Sequence, residues 1–291
     1  MPKSRNRARR TGKSALFSTL SEFHTIYFTL PSMIPFSILT FHRLSKCKES
    51  NKYIVTEEDF VVYLEYLAKH NFNCILAEDC SNLLFERMYD QPEKIVMITF
   101  DDGHATDYTI ALPILKKYNL KATFFITTDF IGQEGYLNPQ QIEALADSGM
   151  SVHSHAKTHL FLDELSDDQI KIELEESKKN LENILGKPVR YISMPGGRYN
   201  RKVIEIAKQT NYSIMFCSIP YYFKNIEEMN VIGRCMVKYN HNNSRSNFFR
   251  IIKSRNVGQK KMKFYYYFKY FLKKCLNGKL YYFLWKVYVN K

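Results

Sequence analysis

Residues Ile95-Val96-Met97-Ile98-Thr99-Phe100 form an apolar run that stops on two adjacent carboxylates and a glycine, Asp101-Asp102-Gly103. The pattern reads as a strand that delivers acids to a pocket. Adjacent carboxylates repel one another, which costs stability unless a cation lies between or beside them. About fifty residues later comes His155-Ala156-Lys157-Thr158-His159, a spacing that lets two imidazoles face one ion. Together the two segments predict a mononuclear metal site with a spare base.

Strand-like and helix-like segments alternate around them. Residues 36–41, Phe-Ser-Ile-Leu-Thr-Phe, read as a buried strand ending at His42. Thr56 to His70 reads as a helix, with Thr56 and Asp59 as a capping pair and Phe60, Leu64 and Leu67 as its apolar stripe. Residues 105–118, Pro139 to Ser148, Asp167 to Leu185 and Arg201 to Thr210 read as helices, and Gly186-Lys187-Pro188 stops the third of these. Ala122 to Thr127, Ser151 to His155, Val189 to Met194 and Tyr212 to Cys217 read as strands. Such alternation means parallel strands covered by helices, an α/β fold. The chemically interesting residues all follow strands, at the carboxyl ends where barrel-like α/β proteins assemble their sites.

With 291 residues, 45% of them hydrophobic, the chain can bury a full core and is most simply one large domain plus extensions. Its net charge of +13 is uneven. Met1 to Lys13 carries only basic charges, and fifteen Lys and Arg but no acid follow Glu228. This predicts a basic extension over 1–32, a globular domain over 33–257 and a basic tail over 258–291, the ends meeting an anionic surface. The stretch Ser14 to Phe41 invites comparison with a signal sequence, but Glu22, His24, Pro31 and Pro35 interrupt any apolar helix. The six cysteines, at 47, 74, 80, 217, 235 and 275, show no paired short spacing, so neither a disulfide framework nor a zinc ribbon is expected.

An Asp-Asp-Gly triplet alone is an ordinary turn, and a lone histidine is most often structural. Combined, with a strand end under each, they say more. Two histidines and one carboxylate leave coordination positions open, so a bound water can be acidified and a carbonyl polarised. A neighbouring carboxylate that does not ligate can take the water's proton. Asp101 and Asp102 are therefore expected to differ in role. A two-histidine, one-carboxylate iron oxygenase uses the same residue types in a different sequence order.

From about Ser37 to Val237 the chain resembles the polysaccharide deacetylases with the NodB homology domain, carbohydrate esterase family 4. Thr99-Phe100-Asp101-Asp102-Gly103 is similar to the family's first motif, His155 and His159 to its second, and Ser193-Met194-Pro195-Gly196-Gly197 to its third, with glycine in place of tyrosine. The resemblance implies a distorted (β/α) barrel of mostly parallel strands, with Asp101 as general base and a divalent metal, most often zinc, on Asp102, His155 and His159. It implies an oxyanion donor in the Gly196 amide, with Pro195 and Gly197 at the substrate. Ile38-Leu39-Thr40-Phe41-His42-Arg43 looks like the N-terminal histidine segment of the circularly permuted branch, which makes His42 the expected catalytic acid. Arg234, in Val231-Ile232-Gly233-Arg234, matches an arginine near the end of that branch, expected to pair with Asp101 or to close the site, with Arg198 as its competitor. The Asp-x-Asp-Trp element is missing. By strand alternation His153 shares a face with Ser151 and His155 and is expected as a partner of the ligands or a substrate contact.

The activity so implied is hydrolysis of N-acetyl groups on an amino sugar of a polysaccharide or glycolipid. Deformylation or O-deacetylation by the same residues, or a glycan- or membrane-binding protein without turnover, are the alternatives. In the tail, Phe264-Tyr265-Tyr266-Tyr267-Phe268 and Tyr281-Tyr282-Phe283-Leu284-Trp285 alternate with lysines at near-helical intervals. This predicts a basic aromatic helical tail that docks on an anionic membrane surface, consistent with an envelope location, with packing onto the domain as the alternative. Nucleic acid would explain the charge but less naturally the density of Leu and Phe.

Overall fold

The computed structural model describes residues 32–33, 36–80, 94–220, 222–226, 229–238 and 244–253. The chain divides into two compact units, residues 1–33 and residues 34–291. Of the first, only the short strand Ser32–Met33 is described. The expected helical tail over 258–291 lies outside the described residues, as does nearly all of the extension over 1–32.

The larger unit opens with β1 (Ser37–Phe41), all five residues buried. A small parallel ladder follows, β2 (Arg43–Ser45) on β3 (Ile54–Thr56). Helix α1 (Glu57–Lys69) starts where Thr56 Oγ1 accepts from the Asp59 amide and buries Phe60, Leu64 and Leu67, the expected stripe. The central strand β5 (Ile95–Phe100) follows the short β4 (Asn73–Ile75). After β5 the backbone makes a π-helical turn, Asp107–Ala111, before α2 (Leu112–Lys117). Pro113, which has no N–H to return to the preceding turn, stands at that changeover, so the helix expected over 105–118 comes in two pitches.

Strands and helices then alternate: β6 (Thr123–Ile126), α3 (Pro139–Asp147), β7 (Ser151–Ser154), α4 (Asp167–Leu185), β8 (Tyr191–Ser193), α5 (Arg201–Gln209) and β9 (Ile214–Cys217). Both α3 and α4 begin with capping boxes, Asn138 with Gln141 and Ser166 with Gln169, and α4 ends on Gly186 in the left-handed region. The last strands are β10 (Tyr222–Ile226), β11 (Met229–Gly233) and β12 (Cys235–Met236), followed by α6 (Ser244–Lys253). Helix α6 lies on α1, with Phe248 stacked on Tyr63 at 4.2 Å.

Eight strands run parallel in the order β12-β1-β5-β6-β7-β8-β9-β11, with β10 antiparallel at the β11 edge and β4 parallel to the start of β5. The expected distorted (β/α) barrel is what the chain builds. Its closure rests on one extended segment. Met229 to Gly233 belongs to β11, beside β9, and Cys235 to Met236 forms β12, beside β1. Between them the Arg234 amide donates to Cys217 O, and beyond them the Val237 amide donates to Thr40 O. Arg234 therefore stands at the seam where the two edges of the sheet meet.

The interior follows the two-residue period of the strands. One layer is apolar, with Ile38, Met97, Phe125, Phe216 and Ile232 in a single cluster. Toward the carboxyl ends of the strands the layer is polar: Thr40, Thr99, His155, Ser193 and Arg234, all buried, with Asp101 just above Thr99. The apolar layer supports the polar one from below.

Candidate functional site

Strand β5 ends at Phe100, and the Asp101 amide donates to Phe41 O on the neighbouring strand. This fixes the first carboxylate in line with the strand, pointing inward. Arg234 grips it with two parallel bonds, NH1 to Oδ1 at 2.7 Å and NH2 to Oδ2 at 2.6 Å. Ser193 Oγ lies 3.2 Å from Asp101 Oδ2 and 2.6 Å from Arg234 NH2, and Arg234 NH1 reaches Thr99 Oγ1 at 3.2 Å. Burial pushes the Asp101 pKa up, but the Arg234 charge, with His155 and the bonds from Arg234, outweighs it and holds the carboxyl below its ordinary value. A bidentate guanidinium also fixes the carboxylate plane. Arg198 is not the partner: it binds Asp163 Oδ2 at 3.0 Å and Glu164 Oε1 at 2.6 Å.

Asp102 leaves the strand direction in a left-handed backbone, φ +77°, so the two adjacent acids diverge. Its Oδ1 lies 3.4 Å from His155 Nε2 and 3.3 Å from His159 Nε2. These three ligand atoms fall within 4.8 Å of one another. Ligands about 2.0–2.1 Å from one tetrahedral ion stand about 3.3–3.4 Å apart, which matches both distances to Asp102. Oδ1 is buried and has no hydrogen-bond partner among the described residues, a gap that a cation between the three groups fills. Burial would raise the Asp102 pKa, but the three imidazoles around it, His104, His155 and His159, hold it far below the carboxylate range. The donor set therefore fits a divalent metal ion.

The tautomer of His155 is set by a main-chain carbonyl. Its Nδ1 lies 2.8 Å from Ser193 O, so Nδ1 carries the proton and Nε2 offers its lone pair toward Asp102. Burial lowers the His155 pKa, but Asp101 and Asp102 more than reverse this and raise it above 6.5, so a proton and a cation compete for the same nitrogen. His159 reaches the site because the loop doubles back. Ala156 and His159 both have positive φ, +64° and +67°. Non-glycine residues in this region cost about 1 kcal/mol each, and the loop is held by other bonds. Glu173 of α4 accepts from the Lys157 and Thr158 amides at 2.9 Å each, and from Thr158 Oγ1. The Thr128 and Asp129 amides donate to Ala156 O and Lys157 O.

His42, just beyond β1, is half-buried against Tyr53, with ring centroids 5.6 Å apart. Its Nδ1 has no partner among the described residues. Burial lowers its pKa, against the pull of Asp101 and Asp102, so it is neutral near pH 7 in the free protein. Pro195, Gly196 and Gly197 form a tight turn after β8, with both glycines at positive φ, +62° and +66°. A Cβ on Gly197 would lie 2.2 Å from Ser218 Oγ, so only glycine fits there. The neighbouring amides are used, Gly197 to Met194 O and Arg198 to Pro195 O.

His153 is the one expected site residue that lies elsewhere. It is in the layer below, 4% exposed, with Nε2 3.1 Å from Glu78 Oε1 and its ring edge-on to Tyr191 at 4.5 Å. Ser151 Oγ donates to the same Glu78 oxygen at 2.8 Å. Burial lowers the His153 pKa, so it serves as a neutral donor. Alternation assigned it the correct face but not the depth along the strand, where its ring nitrogen meets Glu78 instead of the ligand cluster.

Several residues of the site escaped the sequence reading. His104 Nε2 lies 3.6 Å from Asp102 Oδ2, with its ring stacked on Tyr136 at 4.9 Å. Its signal was its place two residues after Asp102. Asp107 is fully buried, and both its oxygens lack a partner among the described residues. Burial, with Asp102 and Asp101 adding to it, raises its pKa well above its ordinary value. Glu173 announced itself as a carboxylate inside the buried stripe Ile170, Leu174, Ser177 and Leu181 of α4.

The family model described as polysaccharide deacetylase matches residues 88–215. YxkH of Bacillus subtilis, named for a polysaccharide deacetylase, is 33% identical over 184 residues, 63% of this chain and 64% of that protein. The poly-β-1,6-N-acetyl-D-glucosamine N-deacetylase of Staphylococcus aureus is 27% identical over 186 residues, 59% of this chain and 63% of that protein. The chain thus spans less than two thirds of the length of these relatives. Among solved structures, the Streptococcus pyogenes deacetylase PplD, in complex with acetate, superposes with a TM-score of 0.68 at 26% identity, covering 77% of this chain and 99% of that one.

Proposed function

We propose that this chain, which carries a polysaccharide deacetylase domain of the NodB type, is a metal-dependent hydrolase that removes N-acetyl groups from the amino sugars of a polysaccharide or glycolipid. The observation that carries this reading is the divergence of two adjacent acids, Asp102 into a three-ligand cluster with His155 and His159 and Asp101 into the grip of Arg234. A binding protein gains nothing from that arrangement, whereas hydrolysis needs both halves.

A divalent cation held by Asp102, His155 and His159 would supply an acidified water and polarise the acetyl carbonyl. Asp101, ionised well below neutral pH, accepts the water's proton, and Arg234 and Ser193 keep its carboxylate aimed while it does so. The Gly196 amide, on its tight turn, offers a donor where negative charge gathers on the acetyl oxygen. Pro195 and Gly197 hold that amide in place. The proton that Asp101 removes from the water is the one the departing nitrogen needs, and His42, neutral in the free protein, receives it and delivers it to the sugar nitrogen as the carbon–nitrogen bond breaks. The products are acetate and a free amino sugar.

The relatives' names support an N-acetylated glycan as substrate class, a polymer of N-acetylglucosamine in the staphylococcal case. We assign the basic aromatic tail over 258–291 to an anionic membrane surface of the cell envelope on the strength of its sequence. A tail-deleted protein that partitions with anionic vesicles as well as the full chain contradicts this. The catalytic reading is tested by acetate release from N-acetylglucosamine oligomers. Chelation should abolish it, zinc should restore it, and Asp101→Asn should lower turnover by about 10²–10⁴-fold. Acetate release that survives Asp101→Asn intact overturns the reading.

A further inference from the structure

We propose that Phe161 is a sugar-stacking platform, an aromatic wall that this chain builds beside the acyl site from the loop following His159. The proposal rests on the glycan reading above and adds to it the surface that holds the sugar ring.

The turn residue Gly196 has no side chain, and the reason is Phe161. A Cβ on Gly196 would stand 2.6 Å from Phe161 Cε1. The ring thus occupies the place that a side chain at position 196 would need. With Gly196 at φ +62° as well, glycine is the residue that fits there without moving the ring or straining the turn. The wall next to the proposed oxyanion amide is supplied from thirty-five residues earlier in the chain rather than from the turn itself.

Phe161 is 40% exposed and its neighbour Leu160 54%, whereas Leu162 is fully buried. One apolar side chain anchors the loop and two face water beside the metal ligand His159. The ring is held by more than the anchor. The Arg198 guanidinium carbon stands 4.6 Å from the ring centroid. That guanidinium is itself fixed, with Nε 3.1 Å and NH2 3.0 Å from Asp163 Oδ2 and a further bond to Glu164. The Glu164 amide donates to Phe161 O, and Asn200 Nδ2 donates to Asp163 O.

An aromatic ring left partly in water, yet immobilised on one side by a cation and on another by a glycine, loses little freedom when a flat partner covers it. A pyranose ring is such a partner. Its C–H face is apolar and its rim of hydroxyls is polar, which suits a ring flanked by Arg198 and Glu164. Continuity with the site selects this occupant: Phe161 touches the residue whose amide faces the acetyl oxygen and lies two positions from His159. A sugar stacked on Phe161 therefore presents its N-acetyl group toward the acids.

The test uses the full chain loaded with zinc and an N-acetylglucosamine pentamer as probe, with Phe161→Ala and the conservative Phe161→Tyr. Binding is followed by titration calorimetry, and acetate release is followed separately. Phe161→Ala should weaken pentamer binding and raise KM by roughly five- to tenfold, with kcat and zinc content unchanged, and Phe161→Tyr should restore the wild-type values. Unchanged pentamer affinity in Phe161→Ala, or a wild type that does not bind the pentamer, overturns the proposal. So does a loss of zinc or of kcat in parallel with affinity, which marks a general structural role. Wild-type binding that depends on Phe161 without acetate release sinks the deacetylase reading and leaves the platform standing.

Discussion

His153 and His155 sit two residues apart on one strand, face the same way and each meet a carboxylate, yet they do opposite things. His153 lies in the lower layer of the barrel against Phe125 and Tyr191, bonded to a Glu78 that also takes a bond from Ser151. Its surroundings are regular strand and apolar core. His155 lies in the upper layer, where Asp102, Ala156 and His159 all adopt left-handed backbones and Asp102 Oδ1 is buried without a partner. The lower pair is a single polar contact at the edge of the core, with Glu78 about half exposed and His153 Nδ1 buried without a partner among the described residues. The upper cluster adds strained backbone and brings three ligand atoms within 4.8 Å of one another around a buried acceptor, and that convergence is the physical signature of a place built for something that binds. Residue type and spacing alone do not separate the two; depth along the strand does.

The comparison can be broken most forcefully at the seam. Arg234→Ala strands the buried Asp101 carboxylate without its cation and should cost about 3–5 kcal/mol in unfolding free energy. Acetate release should fall with it, while urea melts monitor the stability loss. A fall of less than about 1 kcal/mol would show that the upper layer does not depend on this pair. Next in size is Glu173→Gln, which removes a charged acceptor from the loop between His155 and His159. It should weaken metal affinity by about 10–100-fold, read by competition with a chromogenic chelator. In the lower layer, His153→Ala should cost about 1–3 kcal/mol of stability and leave acetate release near wild type. Activity lost out of proportion to that destabilisation would erase the contrast between the layers.

The smallest effect is in the pH dependence. Asp101 and Asp102 are both held below their ordinary pKa of 3.8 in the folded state. Their contribution to stability is therefore complete above that value and lost as pH falls through the folded values. For metal, the sign comes from His155, whose pKa lies above 6.5 because two carboxylates outweigh burial. Protons displace the ion as pH falls toward and below that range. Dialysis at a series of pH values should show metal retained at pH 8 and progressively released below neutrality. Release at alkaline pH alone would contradict the assignment.

How much of this could be read from the residues follows from which forces are local. The barrel was legible because apolar runs, caps and glycine stops act over a few residues: Thr56 with Asp59, Gly186 after α4, and the strand ending on Asp101 needed no tertiary knowledge. The pairing of His155 with His159 was legible because their spacing is itself local, and the fold brings both to Asp102. His153 was placed on its face by alternation, but its layer depends on where Glu78 and Tyr191 arrive from other strands. Glu173 and Phe161 act across the fold, on the loop before α4 and on the turn after β8, so their roles emerge only when those segments meet. The pairing of Arg234 with Asp101 over 133 positions became geometric once β11 and β12 closed the sheet.

The contrast between the two layers is tested most directly by measuring bound metal per chain in the wild type, His155→Ala and His153→Ala after identical zinc loading and dialysis. The account predicts about one ion in the wild type and in His153→Ala and a near-complete loss in His155→Ala, with all three proteins folded. Equal metal in His155→Ala and the wild type, or its loss from His153→Ala alone, would contradict it.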